Sequence, residues 1–113
     1  MKTPELTGAA LDWAVAKCEG AYSVSVDTDI DGTKRVNYGG MYPEWSTDWA
    51  HGGPIIEREN IGLWSEGYDW EAKIQTGVGE WLDMWDASPL IAAMRCYVVS
   101  KLGDDIELPE ELK

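Results

Sequence analysis

The 113 residues carry 9 Lys and Arg against 21 Asp and Glu, a net charge of −12 with a pI near 4.2, and so acidic a chain repels nucleic acid and anionic membrane while favouring a basic partner. The length suits one domain over residues 1–113, able to bury about two-thirds of the surface its unfolded form exposes. No apolar run approaches the ~20 residues that span a bilayer, and Met1-Lys2-Thr3-Pro4-Glu5 lacks the apolar core of a signal peptide, so the expected location is cytoplasmic.

The first predicted element is a helix opening at Leu6-Thr7-Gly8-Ala9-Ala10-Leu11. Thr7 is its cap, Leu6 and Leu11 stand at the positions of a hydrophobic staple, and Gly20 ends it. Leu11, Ala14, Val15 and Cys18 mark the buried face, with Trp13 off that stripe. The alternation of Tyr22-Ser23-Val24-Ser25-Val26 predicts a half-buried strand, Asp31-Gly32 a two-residue hairpin turn, and Arg35-Val36-Asn37-Tyr38 the return strand. Asp27, Asp29 and Asp31 before Gly32 match the opening of a helical calcium loop. The bidentate Glu of such a loop would fall on Tyr38, however, and the flanks read as strands, so the reading is an acidic hairpin, with a weak non-standard cation site as the alternative.

Gly39 to Gly53 forms a long Gly-, Pro- and Trp-rich connection whose Tyr42, Trp45 and Trp49 argue for order. Pro54 to Glu59 is expected as a short helix with Pro54 at its first position and a turn at Asn60. Two strands follow, at Ile61 to Trp64 and at Tyr68 to Ile74, the second with Tyr68, Trp70, Ala72 and Ile74 on one face. Gly77 to Ala87 reads as a second aromatic loop bearing Trp81 and Trp85. The last helix has the clearest boundaries: Ser88 to cap it, Pro89 at its first position and Gly103 at its end, around a stripe of Leu90, Ile91, Met94, Tyr97, Val98 and Leu102. An acidic tail follows, with Ile106 and Leu108 able to pack back. The order predicts an α+β fold: a small antiparallel sheet of about four strands, packed by the N-terminal and C-terminal helices, with aromatic-rich loops.

Three blocks carry a family resemblance. Asp48-Trp49-Ala50-His51-Gly52-Gly53-Pro54-Ile55-Ile56-Glu57-Arg58-Glu59 resembles the central motif of the NinX-like family of small phage and prophage proteins. Glu5 to Lys17 resembles that family's first helix, and Ser88 to Arg95 with Gly103-Asp104-Asp105 its last. The blocks follow the family's order. The resemblance implies a phage setting, and hence a bacterial host cell, and brings no mechanism.

His51 is the sole histidine, so a zinc site is not expected, and Cys18 and Cys96 sit among apolar residues of separate helices as free buried thiols. Glu57, Glu59, Glu80, Asp83 and Asp86 offer carboxylate pairs, but in so acidic a chain such pairs arise by chance. No Gly-rich phosphate loop is followed by Lys and Ser or Thr. Binding is therefore favoured over catalysis, with no cofactor or metal expected.

The candidate ligand-binding residues are Trp45, Asp48, Trp49, His51, Gly53, Glu57, Arg58, Trp81 and Trp85. Trp45, Trp49, Trp81 and Trp85 on two loops can stack on a planar ligand, and the helix start near Gly53-Pro54 with Arg58 can hold an anion. The alternative has these tryptophans close a small core under long loops, with Arg58 paired to a carboxylate. The favoured function is an accessory protein that counters host antiviral defence by sequestering a small nucleotide-like signal. Against it stand an acidic, DNA-mimic-like inhibitor of a host protein and, further off, a small hydrolase. The exposed aromatics leave room for a homo-oligomer.

Overall fold

In the computed structural model, which describes residues 1–20, 23–65 and 67–113, the elements run α1 (Gly8–Cys18), β1 (Val24–Thr28), β2 (Lys34–Tyr38), α2 (Trp49–Arg58), β3 (Gly62–Ser65), β4 (Trp70–Gly77), β5 (Glu80–Asp86) and α3 (Pro89–Leu102), with 3₁₀ turns at Thr3–Glu5 and Glu110–Leu112. The fold is α+β, as expected. The described strands number five rather than about four, and they form two antiparallel sheets, β1-β2 and β3-β4-β5. Tyr22, expected to open the first strand, lies outside the described residues.

Everything is arranged around α3. Ser88 Oγ accepts the Ile91 N–H at 3.2 Å, Pro89 is the first helical residue, and Gly103 ends the helix at φ +86°, a region that costs glycine nothing. One side of α3 lies on the inner face of β4 and β5, and the others meet α1 and α2. Its first turns are consequently buried on all sides: Leu90, Ala92, Ala93, Met94, Cys96, Tyr97 and Val98 all lie in the core. The expected single stripe was too narrow, and its last member, Leu102, is exposed. Small residues at Ala92 and Ala93 let neighbours approach the side a stripe would have left to solvent.

Arg95 is buried within this core. Its Nε donates to the Leu6 carbonyl at 2.8 Å and its Nη1 to Asp86 Oδ1 at 3.0 Å, which ties the end of β5 to the chain ahead of α1. Leu6 and Leu11 are fully buried, as staple positions require, although Thr7 makes no side-chain cap bond. The tail packs back as anticipated. Ile106 and Leu108 are buried, and a bridge between Lys2 and Asp105 joins the two ends of the described chain.

Three local expectations are corrected. The first hairpin turns through three residues, Ile30-Asp31-Gly32. Asp31 Oδ1 accepts the Thr33 N–H at 3.0 Å, and Gly32 takes the left-handed position at φ +89°. The helix expected at Pro54 begins at Trp49, because Asp48 Oδ1 caps it by accepting the Ala50 N–H at 2.9 Å. Pro54 is tolerated inside it, since Gly53 has no Cβ to clash with the proline ring. The supposed aromatic loop from Gly77 to Ala87 is mostly strand β5, joined to β4 by the tight turn Val78-Gly79. Leu82 and Met84 face the core, whereas Trp81, Asp83 and Trp85 alternate onto the other face.

Candidate functional site

The best-formed concavity lies where α1, β2 and the segment 42–47 meet. Its volume is about 200 Å³, and it is lined by Gly8, Ala9, Asp12, Lys34, Arg35, Val36, Tyr42, Pro43, Glu44 and Thr47. Gly8 and Ala9 come from the first turn of α1, which the Thr7 side chain does not cap. That end of the helix carries a partial positive charge. Lys34 and Arg35 bring two of the chain's nine cationic side chains to the same rim. Arg35 Nε is paired with Asp29 Oδ2 at 2.8 Å, and Lys34 Nζ donates to Thr28 Oγ1 at 3.1 Å. The hairpin thus steadies both while their remaining donors stay available. Tyr42 donates to Asp27 Oδ2 at 2.6 Å, which fixes its ring at the mouth and holds the Asp27 carboxyl below its usual range, with help from Asn37.

Asp12 is the unusual group. It is only 6% exposed, and its Oδ1 accepts the Ser46 N–H at 2.8 Å. Burial pushes its carboxyl from the ordinary 3.8 up to about 6, against the backbone bond from Ser46 and the attraction of His51, and with reinforcement from the Glu44 charge. The Ser46 hydroxyl is also near Asp12 but lies outside hydrogen-bond geometry, so it is left without a well-formed partner. A buried carboxyl that titrates near neutrality inside a cavity is a recognised mark of a binding or catalytic position.

The residues expected to bind ligand do not converge. Trp45 is core, edge-on to Tyr38 at 5.5 Å. The helix start expected near Gly53-Pro54 lies instead at Trp49, where the Asp48 carboxylate caps it and takes the place of an anion. Gly53 sits in mid-helix and offers no free terminal amide there. Trp49 is exposed but does not line the cavity. Gly53, Glu57 and Arg58 line only an open depression beside Pro54. Trp81 and Trp85 stand on the outer face of the three-stranded sheet. His51 contributes indirectly: its Nδ1 accepts the Glu44 N–H at 3.0 Å and so pins the segment that walls the cavity. Among the described residues no group of three or more His, Cys, Asp or Glu is gathered as a metal site, and Asp27, Asp29 and Asp31 each turn to a different partner. Burial pushes both the Cys18 and the Cys96 thiols up to about 12, so neither is a ready nucleophile.

The family model described as Bacteriophage P22, NinX matches residues 2–101. The chain belongs to that family. No curated protein matches it. The match takes in α1, α2, all of α3 but Leu102, and every residue lining the cavity of this NinX-family chain. Among the described residues no helix is long and apolar enough to cross a membrane.

Within the central motif, Arg58 has a structural partner set. Its Nη1 and Nη2 donate to the two Glu19 oxygens at 3.1 and 2.7 Å, its Nε donates to Glu59 at 3.0 Å, and its guanidinium lies over the Tyr97 ring. Burial alone would raise the Glu19 carboxyl, but the bonds from Arg58 and Tyr97 outweigh it and hold the group low. These contacts link α1, α2 and α3. Arg58→Ala should therefore cost about 1.5–3 kcal/mol in urea unfolding, the range for hydrogen bonds to charged groups, while leaving the cavity intact.

Reasoning from the sequence counts Lys34 and Arg35, with Arg58, Lys73 and Arg95, among the cations that could face a phosphate, but it misses Asp12 and Glu44 and does not bring Tyr42 to the same place. One signal was available: Asp12 follows Leu11 in a helix otherwise built to be buried, and a charge there needs a reason.

Proposed function

We propose that this chain is a phage accessory binding protein that counters host antiviral defence in the bacterial cytoplasm by sequestering a small nucleotide-like signal, and that it is not an enzyme. The observation carrying this reading is the cavity, where an acidic chain assembles two cations, an uncapped helix start and a buried acceptor in one concave place. Lys34, Arg35 and the first amides of α1 suit a phosphate. The Tyr42 ring suits a base or ribose at the mouth, and Asp12 and Glu44 suit the amino or imino N–H groups of a nucleobase. At about 200 Å³ the cavity takes one base or phosphate moiety and leaves the remainder of a larger signal across the rim.

The test is calorimetry and native mass spectrometry with AMP, GMP and cyclic dinucleotides, together with protein purified from phage-challenged cells. Binding should weaken about 10-fold or more in the Lys34→Ala/Arg35→Ala double variant, as expected when charge-assisted phosphate contacts are lost. The Arg58→Ala protein should retain its affinity. Failure of every nucleotide to bind, with no small molecule copurifying, would overturn the reading.

A further inference from the structure

The three-stranded sheet has one face on α3 and the other in solvent, and the solvent face is the more unusual of the two. The register puts Trp64, Glu71 and Trp85 side by side across β3, β4 and β5, with Gly62, Lys73 and Asp83 in the adjoining row and Gln75 beside Trp81 beyond it. Trp64, Trp81 and Trp85 are 51%, 59% and 46% exposed, which is costly for indoles unless something covers them. On β5, Trp81, Asp83 and Trp85 project from the same side, so Asp83 stands between the two tryptophans in one row, its backbone about 6.7 Å from that of each along the strand. Asp83 is exposed and makes no ion pair among the described residues.

The face already carries one example of the contact it suits. Lys73 Nζ sits 5.6 Å from the Trp64 ring centre and 3.9 Å from Glu71 Oε2, satisfied by an indole and a carboxylate together. Trp64 lies back over Gly62, where a Cβ would come within 2.7 Å of its ring, so glycine is what lets the indole lie flat beside the lysine. Trp81 and Trp85 have the same carboxylate neighbour in Asp83 but no cation over them among the described residues.

From this juxtaposition we infer that Trp81, Asp83 and Trp85 form a clasp for a guanidinium or ammonium group presented by a basic protein partner. The indole faces attract the cation through their quadrupoles and the carboxylate pairs with it. The net charge of −12 steers a basic partner towards the chain and opposes both nucleic acid and a second copy on the same face. This site is separate from the cavity beside α1 and serves a different class of partner.

The probe is an acetylated, amidated (Arg-Thr)₃ peptide titrated into the full chain at 150 mM salt, with tryptophan fluorescence and calorimetry as readouts and (Glu-Thr)₃ as the control. Saturable binding is expected, weakened about 10-fold by Trp85→Ala or Asp83→Asn and by less than about 2-fold by Glu110→Gln, which removes the same charge elsewhere. The Lys34→Ala/Arg35→Ala variant should bind the peptide like the parent, so a failed cavity and a failed clasp remain distinguishable. Circular dichroism and thermal melts establish that each variant is folded. The inference is overturned if the peptide does not bind, if Glu110→Gln weakens binding as much as Asp83→Asn, or if single-stranded DNA competes on the same residues. It is equally overturned if the parent dimerises with concentration and Trp85→Ala abolishes that dimer.

Discussion

Gly52→Ala should destabilise the protein by roughly 3 kcal/mol or more, a large share of the ~5–15 kcal/mol that ordinarily holds a small domain folded. A Cβ at this position would stand 2.4 Å from the Trp45 carbonyl oxygen and 2.6 Å from Leu90 Cδ1. The carbonyl cannot rotate away, because it belongs to the segment between Pro43 and Asp48 that returns to start α2. Leu90 cannot either, because it is fully buried in the first turn of α3. The contact is where the first turns of α2 and α3 meet. The neighbouring Gly53 is the control: its nearest atom would be Trp49 Cε3 at 4.0 Å, an ordinary contact. Gly53→Ala gains helix propensity and loses the relief that glycine gives before Pro54, so its net effect should stay within about 1 kcal/mol. Urea unfolding of the two variants measures the difference directly, and equal stabilities would mean that α2 and α3 are less tightly joined than their backbones indicate.

That pair also illustrates what could be read from sequence. Boundaries set by local chemistry were legible: Ser88, Pro89 and Gly103 place the ends of α3 wherever the rest of the chain goes, and Gly20 and Asn60 mark turns for the same reason. Features set by long-range packing were not. The start of α2 was missed because Gly52, Gly53 and Pro54 look like a breaker, and only contact with Trp45 and Leu90 explains why glycine stands inside a helix. Strand β5 was missed because both of its faces are rich in large apolar side chains, so the period-two pattern is blurred. It emerges only when Leu82 and Met84 are seen against α3, with Trp81 and Trp85 turned away. The cavity draws on α1, β2 and the segment before α2, which share no local motif; it exists only once the hairpin packs on the first helix.

The second large effect concerns Asp12 and pH. Its folded-state pKa of about 6 lies above the ordinary 3.8, so the folded chain holds this proton more tightly than the unfolded chain does. The stability it contributes is therefore fully present below about pH 4 and is lost as pH rises through 6, a change on the order of 3 kcal/mol. Glu19, Asp27, Asp31 and Asp105 have the opposite sign. Their partners hold them low, so what they contribute is lost as pH falls below the usual carboxylate range. Together these groups place maximum stability between about pH 4 and 5, with a decline towards neutrality. Asp12→Asn keeps an oxygen to accept the Ser46 N–H and removes the buried charge. It should flatten the decline between pH 5 and 7 and leave the variant more stable than the parent at pH 7. Self-repulsion within a chain of charge −12 also weakens the fold as pH rises, but it acts on parent and variant alike, so the difference between their unfolding curves isolates Asp12. A parent and variant that fall in parallel from pH 5 to 7 would show that the carboxyl is ionised throughout. The same titration bears on the cavity, since protonating Asp12 removes a negative charge beside Lys34 and Arg35, and an anion there should bind more tightly at pH 5.5 than at pH 7.5.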